Sequence, residues 1–75
     1  MTNVTGRLEG WYLETYAKGS IVWDYLYDDT RNRWWDGARI HTSKILSGIK
    51  DLKEGDVIIT MNSSYLLGKP FEKED

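Results

Sequence analysis

The stretch Val4-Thr5-Gly6-Arg7-Leu8-Glu9-Gly10-Trp11-Tyr12-Leu13-Glu14-Thr15-Tyr16 is rich in β-branched and aromatic residues. It is followed by the compact turn signal Ala17-Lys18-Gly19-Ser20 and a second run of the same kind, Ile21 to Asp28. Two such runs joined by a short turn read as a β-hairpin. Val4 and Leu8 share one parity, whereas Trp11, Leu13 and Thr15 share the other, and a bulge at Glu9-Gly10 returns both sets to one face. A first strand bent in this way suits a short sheet that curls. In the second run Ile21, Trp23, Tyr25 and Tyr27 alternate with Val22, Asp24 and Leu26, so both faces carry apolar bulk and neither is clearly the solvent side.

Downstream, Asp28 to Asn32 is polar and turn-prone, and Asp36-Gly37 is a second turn signal. A third strand is expected over Ala38 to Ile45. Ile45, Ile49 and Leu52 then recur at a spacing that suits at most one short helical turn, because Gly48 costs such an element about 1 kcal/mol relative to Ala. Asp56 to Met61 reads as a strand of buried type, Asn62-Ser63 as a turn, and Ser64 to Leu67 as a short closing strand ended by Gly68. The fold class expected is mainly β, a small five-stranded curled sheet or SH3-like barrel. Residues 1–68 form a single domain, with 69–75 as a loosely held, charged C-terminal tail.

The composition narrows the function. Seventy-five residues make one domain, and a chain of this length buries only about 60% of its unfolded surface. Without cysteine it has neither disulfides nor a thiolate metal site, so its stability must come from packing, with four Trp and five Tyr supplying bulk. A homodimer would add to that stability. The net charge of −2, with both signs dispersed, argues against a protein that coats extended nucleic acid. No apolar stretch is long enough for a membrane span or signal peptide, and the expected location is the cytoplasm.

The candidate site is the run Tyr27-Asp28-Asp29-Thr30-Arg31-Asn32-Arg33-Trp34-Trp35-Asp36-Gly37. On an extended backbone neighbouring side chains point to opposite faces, so at most one of Trp34 and Trp35 is expected in the core, leaving the other as an apolar anchor ringed by charge. Tyr27 joins these rings in a possible stacking set with Trp23 and Tyr25, although Trp11 and Trp23, inside strands, read first as core. Arg31, Arg33 and Arg39 have the fork geometry to clamp a phosphate or carboxylate, against the plainer reading that Asp28, Asp29 and Asp36 neutralise them. His41, beside Thr42 and Ser43, offers ligand contacts. As a lone imidazole with no second His, no Cys and no nucleophile elbow, it is a weak catalytic candidate. Asp24, Asp28 and Asp29 lack the spacing of a calcium loop and read as turn caps. Neither cofactor nor metal is expected.

Two stretches, Trp35-Asp36-Gly37-Ala38-Arg39-Ile40-His41-Thr42-Ser43-Lys44-Ile45 and Ile59-Thr60-Met61-Asn62-Ser63-Ser64-Tyr65-Leu66-Leu67-Gly68, resemble "DG..I.TS.I" and "T.NS.Y.LG" segments of small phage and prophage proteins. The resemblance covers about half the chain and transfers no functional residue. It implies a phage accessory protein acting in the host cytoplasm. The expectation is non-enzymatic: an anti-defence inhibitor that binds stoichiometrically, blocking a host defence protein or sequestering a nucleotide signal. The alternative is a small-barrel module for single-stranded nucleic acid.

Overall fold

A computed structural model describes residues 4–72 of the chain. Five strands, β1 (Gly6–Tyr16), β2 (Gly19–Tyr27), β3 (Ala38–His41), β4 (Val57–Ile59) and β5 (Ser64–Leu67), form one mixed sheet in the order β3-β2-β1-β5-β4. All neighbours are antiparallel except β1 and β5, which run parallel.

The hairpin forms because Ala17-Lys18 can turn and β1 can bend. Between Glu9 and Tyr12 the β1–β2 register shifts, and Gly10 sits there at φ +57, a left-handed conformation that glycine adopts without strain. The shift puts Leu8 and Trp11, from opposite parities, into the same core. That core comprises Leu8, Trp11, Val22, Leu26, Ile45, Ile58, Tyr65 and Leu67, with Leu13, Ile40 and Leu52 packed against it. Full burial of side chains of this size contributes roughly 1.5–3 kcal/mol each.

The sheet stays open, so a closed SH3-like barrel does not form. β3 ends at His41, short of the expected Ile45, because the Thr42 side chain intervenes in the ladder. Its Oγ1 accepts the Val22 N–H at 3.0 Å and donates to the Ser43 carbonyl at 2.8 Å. Past that point the chain meets the far edge only through a single bridge, Ile45 to Thr60. One bridge cannot replace a closing ladder. The expected helical turn is absent as well: the described residues contain no helix, and Ile45 and Leu52 reach the core from an irregular connection in which Asp51 takes φ +57.

The C-terminal segment is held more firmly than its charge suggests. Gly10 N–H donates to Lys69 O at 2.7 Å, Phe71 N–H to Trp11 O at 2.8 Å, and Pro70 bridges Trp11, so residues 69–71 prolong the β1 pairing beyond the bulge. Residues 73–75 of the expected tail lie outside the described residues. No helix in the described part is long and apolar enough to cross a membrane.

Candidate functional site: a tryptophan loop beside an aromatic sheet face

The loop from Asp28 to Gly37 links β2 to β3 and folds around one carboxylate. The Asp29 side chain, 1% exposed, accepts backbone N–H groups from Arg31 (3.2 Å), Arg33 (2.8 Å) and Trp34 (3.3 Å), with the Arg33 guanidinium at 3.8 Å. Burial works to raise the Asp29 pKa, but the Arg33 and Arg31 amides, the Arg33 charge and the Trp34 amide outweigh it and hold the carboxyl below its ordinary value. Asp28 N–H donates to Asp36 Oδ1 at 2.9 Å, and Thr30 N–H to Thr5 O at 2.8 Å. Asp28 and Asn32 take positive φ, which their residue types tolerate better than most.

On this frame Trp34 and Trp35 are 44% and 71% exposed, their rings edge-to-face at 5.9 Å. Neither indole enters the core. The alternation argument needs an extended strand, and this segment is a hydrogen-bonded loop.

The three arginines point to different places. Arg33 reaches Ser63 Oγ (3.4 Å) and the Tyr65 hydroxyl (3.3 Å), whereas the exposed Arg31 has no side-chain hydrogen bond or ion pair among the described residues. Arg39 lies over Trp23 and Tyr25 at 5.8 and 5.4 Å and donates to the hydroxyls of Tyr25 (3.2 Å) and Tyr12 (3.3 Å). The Tyr25 hydrogen bond leads the effects that raise the Arg39 pKa above its ordinary value.

Arg39 thereby marks a second surface. The β1–β2 and β2–β3 registers put Tyr12, Trp23, Tyr25, Tyr27, Arg39 and His41 together on the outer side of the sheet, opposite the core. Trp23 is thus a half-buried member of this face, in contrast to Trp11, which is 6% exposed and donates Nε1–H to Gly68 O. The His41 ring packs on Trp23 at 4.8 Å, Trp23 Nε1–H donates to Glu14, and Arg7 covers Tyr27 while pairing with Asp28. Tyr12 and Phe71, which meet edge-to-face at 5.8 Å, extend the face and were not singled out from sequence. Counting back from the Ala17-Lys18 turn sets Tyr12 opposite Trp23, and that hairpin register marks Tyr12. No periodicity marks Phe71.

Among the described residues the polar side-chain contact of His41 is to backbone. Its Nδ1 lies 3.1 Å from the Thr42 carbonyl, and the Ser43 hydroxyl accepts Asn62 Nδ2–H. The two phage-like stretches meet at this corner through Ser43–Asn62, Lys44 O–Met61 N and the Ile45–Thr60 bridge, so their polar residues fasten β3 to the β4–β5 turn. No group of three His, Cys, Asp or Glu among the described residues could hold a metal.

Asp24 is no turn cap. It lies in mid-β2 on the core side, 1% exposed, and neither carboxylate oxygen has a hydrogen-bond partner among the described residues. Burial pushes its pKa up to about 7 against the opposing charge of Arg39. Comparison of the chain with protein-family models, curated proteins and solved structures returns no match.

Proposed function

We propose that this chain is a non-enzymatic binding protein that acts stoichiometrically on a partner protein through the Trp34–Trp35 loop and the adjoining aromatic sheet face. The observation that carries the reading is the exposure of two adjacent indoles on a loop fastened by Asp29. Large aromatic side chains held in place lose little conformational entropy on binding and are frequent interface hot spots. The resemblance to phage accessory proteins extends the proposal to an anti-defence inhibitor with a host protein as target, working in the host cytoplasm.

A second reading rests on Arg39. A guanidinium stacked beside Trp23 and Tyr25 offers both ring and charge to a nucleotide or a single-stranded base. Glu9 and Glu14 on the same side of the sheet weaken it for a polyanion.

Trp34→Ala and Trp35→Ala, made separately, test the first reading. Both variants should keep the wild-type unfolding midpoint, since neither ring is in the core, and at least one should lose inhibitory activity. Full activity in both would sink the proposal. Oligonucleotide binding that weakens steeply with salt and is lost in Arg39→Ala would favour the second reading instead.

A further inference from the structure

The two edges of the sheet are finished differently. At β4, Ile59 O accepts the N–H groups of Leu46 (2.7 Å) and Ser47 (3.3 Å), and Ile59 N–H donates to Ser47 Oγ (3.0 Å), so the chain covers this edge at Ile59. β3 has no such cover. Thr42 N–H donates to Val22 O, and the register pairs Ile40 with Asp24, so residues 40 and 42 turn their backbone groups toward β2. Arg39 and His41 occupy the alternate positions, and their N–H and C=O groups face outward. None of these four groups has a hydrogen-bond partner among the described residues. The strand contains neither proline nor bulge, two common protections of an exposed edge.

Charge selects among occupants. Arg39 has no carboxylate within ion-pair distance among the described residues, and β3 itself, Ala-Arg-Ile-His, contains no acid. A second copy pairing along this edge would set Arg39 against Arg39 or His41. An acidic strand would set a carboxylate there instead. Alternation supplies the rest of the pattern, because residues beside Arg39 and His41 lie on the outer face while their neighbours lie level with the half-buried Ile40. We infer that β3 takes up an extended segment of the partner protein as a sixth strand, with acidic residues alternating with apolar ones, held by the backbone groups of Arg39 and His41 and by carboxylates facing Arg39. The inference rests on the reading of the chain as a protein-binding module and names the form its partner presents.

The test uses the full chain, labelled with ¹⁵N, and two blocked eight-residue peptides, one alternating Glu with Val and one alternating Lys with Val. In the free protein the Ile40 and Thr42 amides should exchange slowly and those of Arg39 and His41 fast. The Glu peptide should slow exchange at Arg39 and His41 at least tenfold, and the Lys peptide should not. His41→Pro deletes an outward donor but no bond to β2, and should weaken binding of the Glu peptide at least tenfold, whereas His41→Ala keeps it. Arg39→Glu, which leaves the backbone intact, should reverse the preference between the peptides.

Several results would overturn the inference: no protection at millimolar Glu peptide, equal protection by both peptides, or undiminished binding by His41→Pro. Slow exchange at Arg39 and His41 in the free protein together with a dimeric mass would assign the edge to a second copy. Partner binding lost in Trp34→Ala or Trp35→Ala but intact in His41→Pro would leave the proposed function standing and remove strand addition. Full activity in both tryptophan variants would remove both.

Discussion

Two buried aspartates make opposite demands on this protein. Asp24 has its pKa raised by burial from 3.8 to about 7. Below about pH 4 its carboxyl is protonated in the folded and unfolded chains alike, and its ionisation costs nothing. Between about pH 4 and 7 the unfolded chain gives up a proton that the folded chain retains, so stability falls as pH rises, by on the order of 4 kcal/mol once the folded carboxyl has ionised. Asp24→Asn should remove that slope, which urea unfolding at pH 5 and pH 8 would measure as a much smaller difference between the two midpoints than in the wild type. Asp29, its pKa lowered, contributes stability above the unfolded carboxylate range that is lost as pH falls through the folded value. Asp29→Ala leaves three loop amides without their acceptor and should cost about 2–3 kcal/mol at neutral pH, read from the same unfolding curves. The wild type should therefore be most stable in mildly acidic solution.

Among the elements, β1 depends most on a single backbone conformation. At Gly10, φ is +57, and a Cβ there would lie 3.2 Å from Tyr25 Cδ2. Gly10→Ala should destabilise the fold by about 1–2 kcal/mol, and thermal unfolding would show it. This bend was legible in the sequence because a glycine coincides with a parity jump between Leu8 and Trp11. The early end of β3 was not, since Thr42 suits a strand and only its hydroxyl, placed against Val22 N–H, reveals that the ladder stops. Nor does periodicity name a strand's partner, and the parallel pairing of β1 with β5 is invisible from either run alone. At the site, the exposure of one indole of the Trp34–Trp35 pair was legible from residue type and spacing, whereas the exposure of both was not, because the segment is a loop and not a strand. The hub beneath it was not legible, because an aspartate in a polar loop looks the same whether it meets water or three amides. The aromatic face was legible only as a stacking set of Trp23, Tyr25 and Tyr27, without Tyr12 or Phe71, because β2 is apolar on both sides and only the sheet register tells which side the core takes.

Across the whole molecule the four tryptophans divide between interior and surface, with Trp11 in the core, Trp23 half-buried, and Trp34 and Trp35 exposed. Replacing both exposed indoles with phenylalanine should shift the fluorescence maximum to shorter wavelength and reduce quenching by acrylamide, while leaving the unfolding midpoint close to the wild-type value. An unchanged spectrum would mean that the loop rings are packed. The open sheet concentrates apolar surface at its outer face and leaves the outward backbone groups of Arg39 and His41 without partners among the described residues, whereas a closed barrel of the same strands would have removed both edges.

The central strand also imposes an order in time on the ribosome. β1 is made before β5, yet one side of its Gly6–Trp11 part is supplied by Ser64 to Phe71: Leu8 O waits for Gly68 N–H, the Trp11 indole for Gly68 O and Trp11 O for Phe71 N–H. Until those residues leave the exit tunnel, the emerging chain can close the β1–β2 hairpin but cannot complete its core. Over that interval the nascent polypeptide carries a bare edge on β1 and an unburied Trp11, and completion of the fold waits for residues 64–71.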